Sequence, residues 1–210
     1  MVAPMTKREV YEETVKYCDR ILEILKDWEP SNDTPPGRVI FECMWLKQEI
    51  ERNRLPIPFY GDLLTIRYVY THGDMPGEAY EQGIKILLKR IIKLSKGHRL
   101  VYPENYPEVI EAVDELLDML GSREWEPERH ADLLEADLRE IRRRLETTED
   151  VLPFSQREFP YFLEHYYYDE GTFDDLPEIH ERIVDIDSMV FEGYWPGSEE
   201  ALQEAARQRA

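Results

Sequence analysis

The sequence predicts an all-α fold, and three observations carry that prediction. Apolar residues recur every three or four positions over most of the 210 residues, which is the period of one helix face. The stretches between these periodic runs are short and hold the prolines and glycines that stop helices. Strand-like alternation occurs once, near residues 62–71. The expectation is a single domain over 1–196 of about eight or nine short amphipathic helices joined by Pro/Gly turns, with 197–210 as a short polar helix or tail.

The first helix is expected over Lys7 to Trp28, with Val10, Thr14, Tyr17, Cys18, Ile21, Leu22, Leu25 and Trp28 on one face. Thr6 and Glu9 stand at capping-box spacing before it. After the turn EPSNDTPPG, a second helix is expected over Arg38 to Asn53, with Ile40, Phe41, Met44, Trp45 and Ile50 inward. Pro56 and Pro58 then force extended backbone. In 62–71, Leu64, Ile66, Tyr68 and Tyr70 alternate as in a strand. Asp62 would cap a helix, however, and no second strand stands ready to pair, so helix is the reading. Glu78 to Lys96 is amphipathic, with Tyr80, Ile84, Leu87, Leu88, Ile91 and Leu94 inside, and Gly97 suits its C′ position.

Beyond the linker HRLVYPENYP, Pro107 begins a helix to Leu120 carrying Val109, Ile110, Val113, Leu116, Leu117 and Leu120. Glu128 to Glu146 repeats the pattern with Leu133, Leu134, Leu138, Ile141 and Leu145. Two further helices are expected over Gln156–Tyr168 and Leu176–Phe191.

Charge is unevenly placed. The net charge is −19, yet residues 1–100 hold 16 Lys and Arg against 15 Asp and Glu, and residues 101–210 hold 10 against 30. A field of that sign repels nucleic acid and anionic lipid and attracts basic proteins. The opening MVAPMTKREV lacks the apolar stretch of a signal peptide, and the most apolar segment, 84–94, is interrupted by Lys85, Lys89, Arg90 and Lys93. A soluble, cytoplasmic protein without membrane contact is expected. Cys18 and Cys43 both fall on apolar stripes, where a reduced thiol acts as a small hydrophobe.

No reaction signature stands out. The histidines, at 72, 98, 130, 165 and 180, are spaced far beyond the one-turn separation of a zinc motif. His72-Gly73-Asp74 reads as a turn. IVDIDS at 183–188 has the form of a metal-binding DxD motif, but Ile179, Ile183, Ile186 and Val190 keep helical spacing, which turns Asp185 and Asp187 to solvent. Phosphate-cradling glycine loops and serine-nucleophile elbows are absent. No catalytic residue, metal or cofactor is expected. Lys85, Lys89, Lys93 and Lys96 share a helix face, with Arg90 beside it. That face is expected to be solvated and weakly paired with the acidic helices rather than to hold an anion.

HYYYDEGTFDDL at 165–176 runs three tyrosines into carboxylates. At 100° per residue these rings cannot all point inward. Tyr166, Tyr167, Asp169, Glu170, Asp174 and Asp175 are therefore the expected partner-binding residues: rings for the hot spot, carboxylates to steer a basic partner. The bland alternative is that the rings lean on a shallow core and show only their hydroxyls. The acidic helices 108–120 and 128–146 are the next candidate interface. In general style, through composition alone, the chain resembles the bacterial immunity proteins that neutralise a toxin. That resemblance implies a non-catalytic inhibitor occluding the active site of a basic toxin or effector, for instance a nuclease. The rivals are a helical scaffold or adaptor for peptides, and an enzyme of unrecognised type.

Overall fold

A computed structural model describes residues 5–59, 63–72, 75, 77, 83–147, 152–154, 159 and 172–198. The fold is all-α. Seven α-helices occur among the described residues, with no β-strand: α1 Lys7–Ile24, α2 Pro35–Glu51, α3 Leu64–His72, α4 Ile84–Ser95, α5 Tyr106–Gly121, α6 Ala131–Thr147 and α7 Pro177–Val190. Short 3₁₀ turns at Pro103–Asn105 and Pro127–Arg129 precede α5 and α6. Residues 62–71, which alternate like a strand, are helical from Leu64 onward; Asp62 lies outside the described residues, as do Tyr80 and 156–158 and 160–168 of the expected 156–168 helix.

Two compact units divide the chain, Met1–Leu100 with Gly197–Ala210, and Val101–Pro196. The first holds 18 basic and 18 acidic residues and is neutral; the second holds 8 against 27 and carries the whole −19. The change of composition at residue 100 is thus also a boundary of packing.

In the neutral unit α1 packs on α2 and α4, and α3 packs on the same two helices, closing a ring of four. The capping box at the start of α1 is present: the Glu9 backbone N–H donates to the Thr6 hydroxyl, and the Thr6 N–H donates to the Glu9 carboxylate. α1 stops at Ile24, short of Trp28, because Leu25 leaves helical geometry and the chain turns at once; Trp28 is exposed. α2 starts at Pro35, earlier than Arg38, since Thr34 accepts from the Gly37 N–H at 3.2 Å and two prolines fill the first turn. Gly37 is required there, because a Cβ would lie 2.5 Å from the Ser31 carbonyl oxygen. The N-terminus of α3 is capped from α2: the Glu42 carboxylate accepts from the Thr65 and Ile66 N–H groups at 2.8 and 3.1 Å. Tyr17 of α1, buried, takes the Arg90 guanidinium of α4 at 2.8 Å through its hydroxyl.

The expected inward face of α2 is corrected. Ile40 is buried, but Phe41, Met44 and Trp45 are 42%, 51% and 42% exposed. Val39, Cys43 and Leu46 take the inward positions instead, because the helix is apolar on nearly every side and periodicity cannot choose among faces. On the lysine face of α4, Lys85 is exposed and Lys89 half-buried, and both lie over the Tyr70 ring at 5.5 and 6.0 Å.

Cys18 and Cys43 are fully buried free thiols. The neighbouring Cys18 side chain and burial together push the Cys43 thiol well up. Both thiols are expected to react with an aromatic disulfide reagent at least ~1,000-fold more slowly in the native protein than in denaturant, since access requires opening of the α1–α2 interface. Rapid native labelling of either one would contradict the packing.

In the acidic unit α5 packs on both α6 and α7. Val109, Val113, Leu116 and Leu120 of α5, Leu134, Leu138 and Ile141 of α6, and Ile179, Ile183 and Ile186 of α7 are all buried and belong to the unit's core. Leu133, expected inward, is exposed. Asp185 and Asp187, expected to face solvent, are half-buried, and burial raises the Asp185 carboxyl above its ordinary value. The last turn of α7 is sunk on every side, with Ser188, Met189 and Val190 all buried, so no face there is purely solvent.

Candidate protein-binding site

The eight basic residues of the acidic unit are all arginines, and the described ones are committed within the unit. Arg142 bridges α6 to Asp114 of α5 at 2.8 Å, and Arg182 bridges α7 to Glu115 of α5 at 2.5 Å. Arg143 and Arg144 both hold Glu140, which lowers that carboxyl to about 2. Arg144 also lies over the Phe154 and Phe159 rings at 5.6 and 5.0 Å. Arg139 reaches Glu135, and Arg123 lies 6.0 Å over Trp125. With its arginines engaged this way, the unit is left with a large carboxylate excess on its surface.

Tyr166, Tyr167, Asp169 and Glu170 lie outside the described residues. Asp174 and Asp175 occupy a turn, Thr172–Asp175, ahead of α7. Two anchors set that turn. Phe173 is buried and meets Trp125 edge to face at 5.6 Å. Arg129, from the 3₁₀ turn before α6, forks onto both Asp175 oxygens at 2.7 and 2.8 Å and donates to the Thr172 carbonyl at 2.9 Å. A bidentate fork of this kind is the strong form of an ion pair. The Arg129 guanidinium holds the Asp175 carboxyl below its ordinary value. Asp174 is left 67% exposed, with His180 Nδ1 at 3.4 Å.

The two predicted carboxylates therefore do different work. Asp174→Asn is expected to leave the melting point unchanged, because the group is solvated. Asp175→Asn and Arg129→Met are expected to lower it. Because the folded-state value of Asp175 is depressed, its contribution is present above the ordinary aspartate range and is lost as the pH falls through the folded value. Melts of the three variants at neutral and acid pH check this: the Asp175→Asn deficit should shrink on acidification, and a constant deficit would contradict the pairing.

Beside this turn lies a groove of about 540 Å³ on the surface of the acidic unit. Trp125, half-buried, forms one wall, with its indole N–H donated to the Leu120 carbonyl at 2.7 Å. Glu126, His130, Asp132, Glu135 and Arg139 supply the polar lining. Glu126 and Asp132 are exposed, as are Glu124 and Glu128 next to them. His130 joins the 3₁₀ turn to α6 in the left-handed region at φ 49°. A second depression of about 660 Å³ adjoins it through Arg139 and carries Asp114 and Asp118. Carboxylates along the rim suit a cationic side chain, and the indole that forms the wall already carries Arg123 over its ring.

The sequence analysis gives no individual role to Trp125, Glu126 or Asp132, which line the groove, although Asp132 falls in 128–146, one of the next candidate interfaces. The signal was present in REWEPERH, 123–130, where an aromatic stands among acids as it does in 165–176. Among the described residues no group of three or more His, Cys, Asp or Glu is arranged to hold a metal ion, and no helix is long and apolar enough to cross a membrane. No protein-family model, curated protein or solved structure matches this chain.

Proposed function

We propose that this chain is a non-catalytic acidic binding protein of the immunity or inhibitor type, acting in the bacterial cytoplasm. Its acidic unit covers the active site of a basic toxin or effector, with carboxylates standing where the phosphates of a nucleic-acid substrate would lie. One observation carries the reading: the entire −19 resides in Val101–Pro196, and the rest of the chain is neutral. Acidity that served only solubility would have no reason to segregate by packing unit. The groove beside Trp125 supports it further, because it offers an aromatic anchor inside that field.

The deciding experiment takes a basic nuclease toxin encoded beside this chain and titrates its cleavage of plasmid DNA with the full-length protein. Cleavage should stop at a one-to-one ratio, and association should slow steeply as salt rises. Full cleavage at tenfold excess would remove the reading. Salt-insensitive binding of neutral peptides would instead favour a scaffold.

A further inference from the structure

The neutral unit presents a surface that the acidic site does not use. Arg38, Phe41, Met44, Trp45, Gln48 and Glu51 of α2 are all exposed. At 100° per residue they fall within one arc of roughly 140°, forming a single outward stripe. Its centre is apolar, and its three large side chains are of the types enriched in interface cores. Trp45 is partly held in place, with its ring tilted on Phe59 at 5.8 Å. A side chain already ordered in the free protein loses less on association.

We propose that this stripe binds the same stripe of a second copy, with the two α2 helices crossing antiparallel about a two-fold axis between Met44 and Trp45. The charge at the ends of the stripe selects this occupant. Arg38 and Glu51 are equally far along the helix from that midpoint, about 10 Å at 1.5 Å per residue. An antiparallel pair therefore sets Arg38 against Glu51 of the second copy at both ends, whereas a parallel pair would oppose like charges. Arg52, next to Glu51 in the chain, is already held by Glu49 at 3.5 Å. The unit that carries the stripe has no net charge, so a strongly basic or acidic partner has no electrostatic reason to choose it. Such self-complementarity is what an isologous interface requires.

The test is sedimentation of the full chain from about 1 to about 200 µM at physiological salt, where screening over ~8 Å damps the repulsion between two acidic chains. The mass should rise from 25.1 kDa towards twice that value as concentration increases. Met44→Glu places two carboxylates on the axis and should leave a monomer with an unchanged melt. Arg38→Glu alone should weaken association at least ~10-fold, and Arg38→Glu combined with Glu51→Arg should restore it. A wild type that stays at 25.1 kDa throughout overturns the proposal. So does a dimer indifferent to Met44→Glu, or a charge exchange that fails to restore pairing. None of these outcomes depends on the toxin assay.

Discussion

Phe173→Ala is expected to destabilise the acidic unit by about 3–5 kcal/mol, the range for emptying a buried aromatic site. The ring is 1% exposed and is the apolar pin of the Thr172–Asp175 turn. Its edge-to-face partner Trp125 is itself tied to the Leu120 carbonyl at the end of α5. Removing the ring therefore empties a site shared by α5, the 3₁₀ turn and the approach to α7. For a unit of this size the melting point should fall by at least about 12 °C. Thermal unfolding followed by far-ultraviolet dichroism measures it. A fall of only a degree or two would show that the Arg129–Asp175 fork holds the turn without help from the ring.

If the proposed basic partner docks at the groove, ring and charge should fail differently. Trp125→Ala should chiefly speed dissociation, by about thirtyfold, or roughly 2 kcal/mol, as for an aromatic hot spot. Glu126→Gln with Asp132→Asn should chiefly slow association, about threefold to tenfold at low salt, and the difference should vanish at high salt. Because Trp125 also packs on Phe173, its variant has to be assayed well below its own melting point. If Trp125→Ala lowers the melt but leaves dissociation unchanged, the indole is structural only and the contact lies elsewhere on the acidic unit. Surface plasmon resonance with the isolated partner at two salt concentrations separates these outcomes.

Much of the fold was legible because helix periodicity and end signals agree with each other. α1, α4, α5 and α6 each bury most of the stripe their spacing marks, and the Thr6–Glu9 box opens α1 as its pattern implies. The inward face of α2 is not legible in its sequence, PPGRVIFECMWLKQEIE, because that stretch is apolar on several faces at once. Which face turns inward depends on where α1 and α3 lie, and spacing within one helix holds no such information. The 62–71 segment was ambiguous for a related reason. Its β-branched and aromatic residues suit either state, and the helix is capped by Glu42, a residue more than twenty positions away.

The same division runs through the site. The amino-acid sequence by itself determined the helical class, the segregation of charge at residue 100 and the burial of both thiols, since each follows from local composition and period. Tertiary structure alone decided that Asp175 is clasped by Arg129 while its neighbour Asp174 is left to solvent. It alone also brought Trp125 against Phe173 beside an acidic groove, and turned Phe41, Met44 and Trp45 outward. The physical reason is that charge and hydropathy belong to residues one at a time. Pairing and exposure belong to surfaces, which exist only once distant segments have packed.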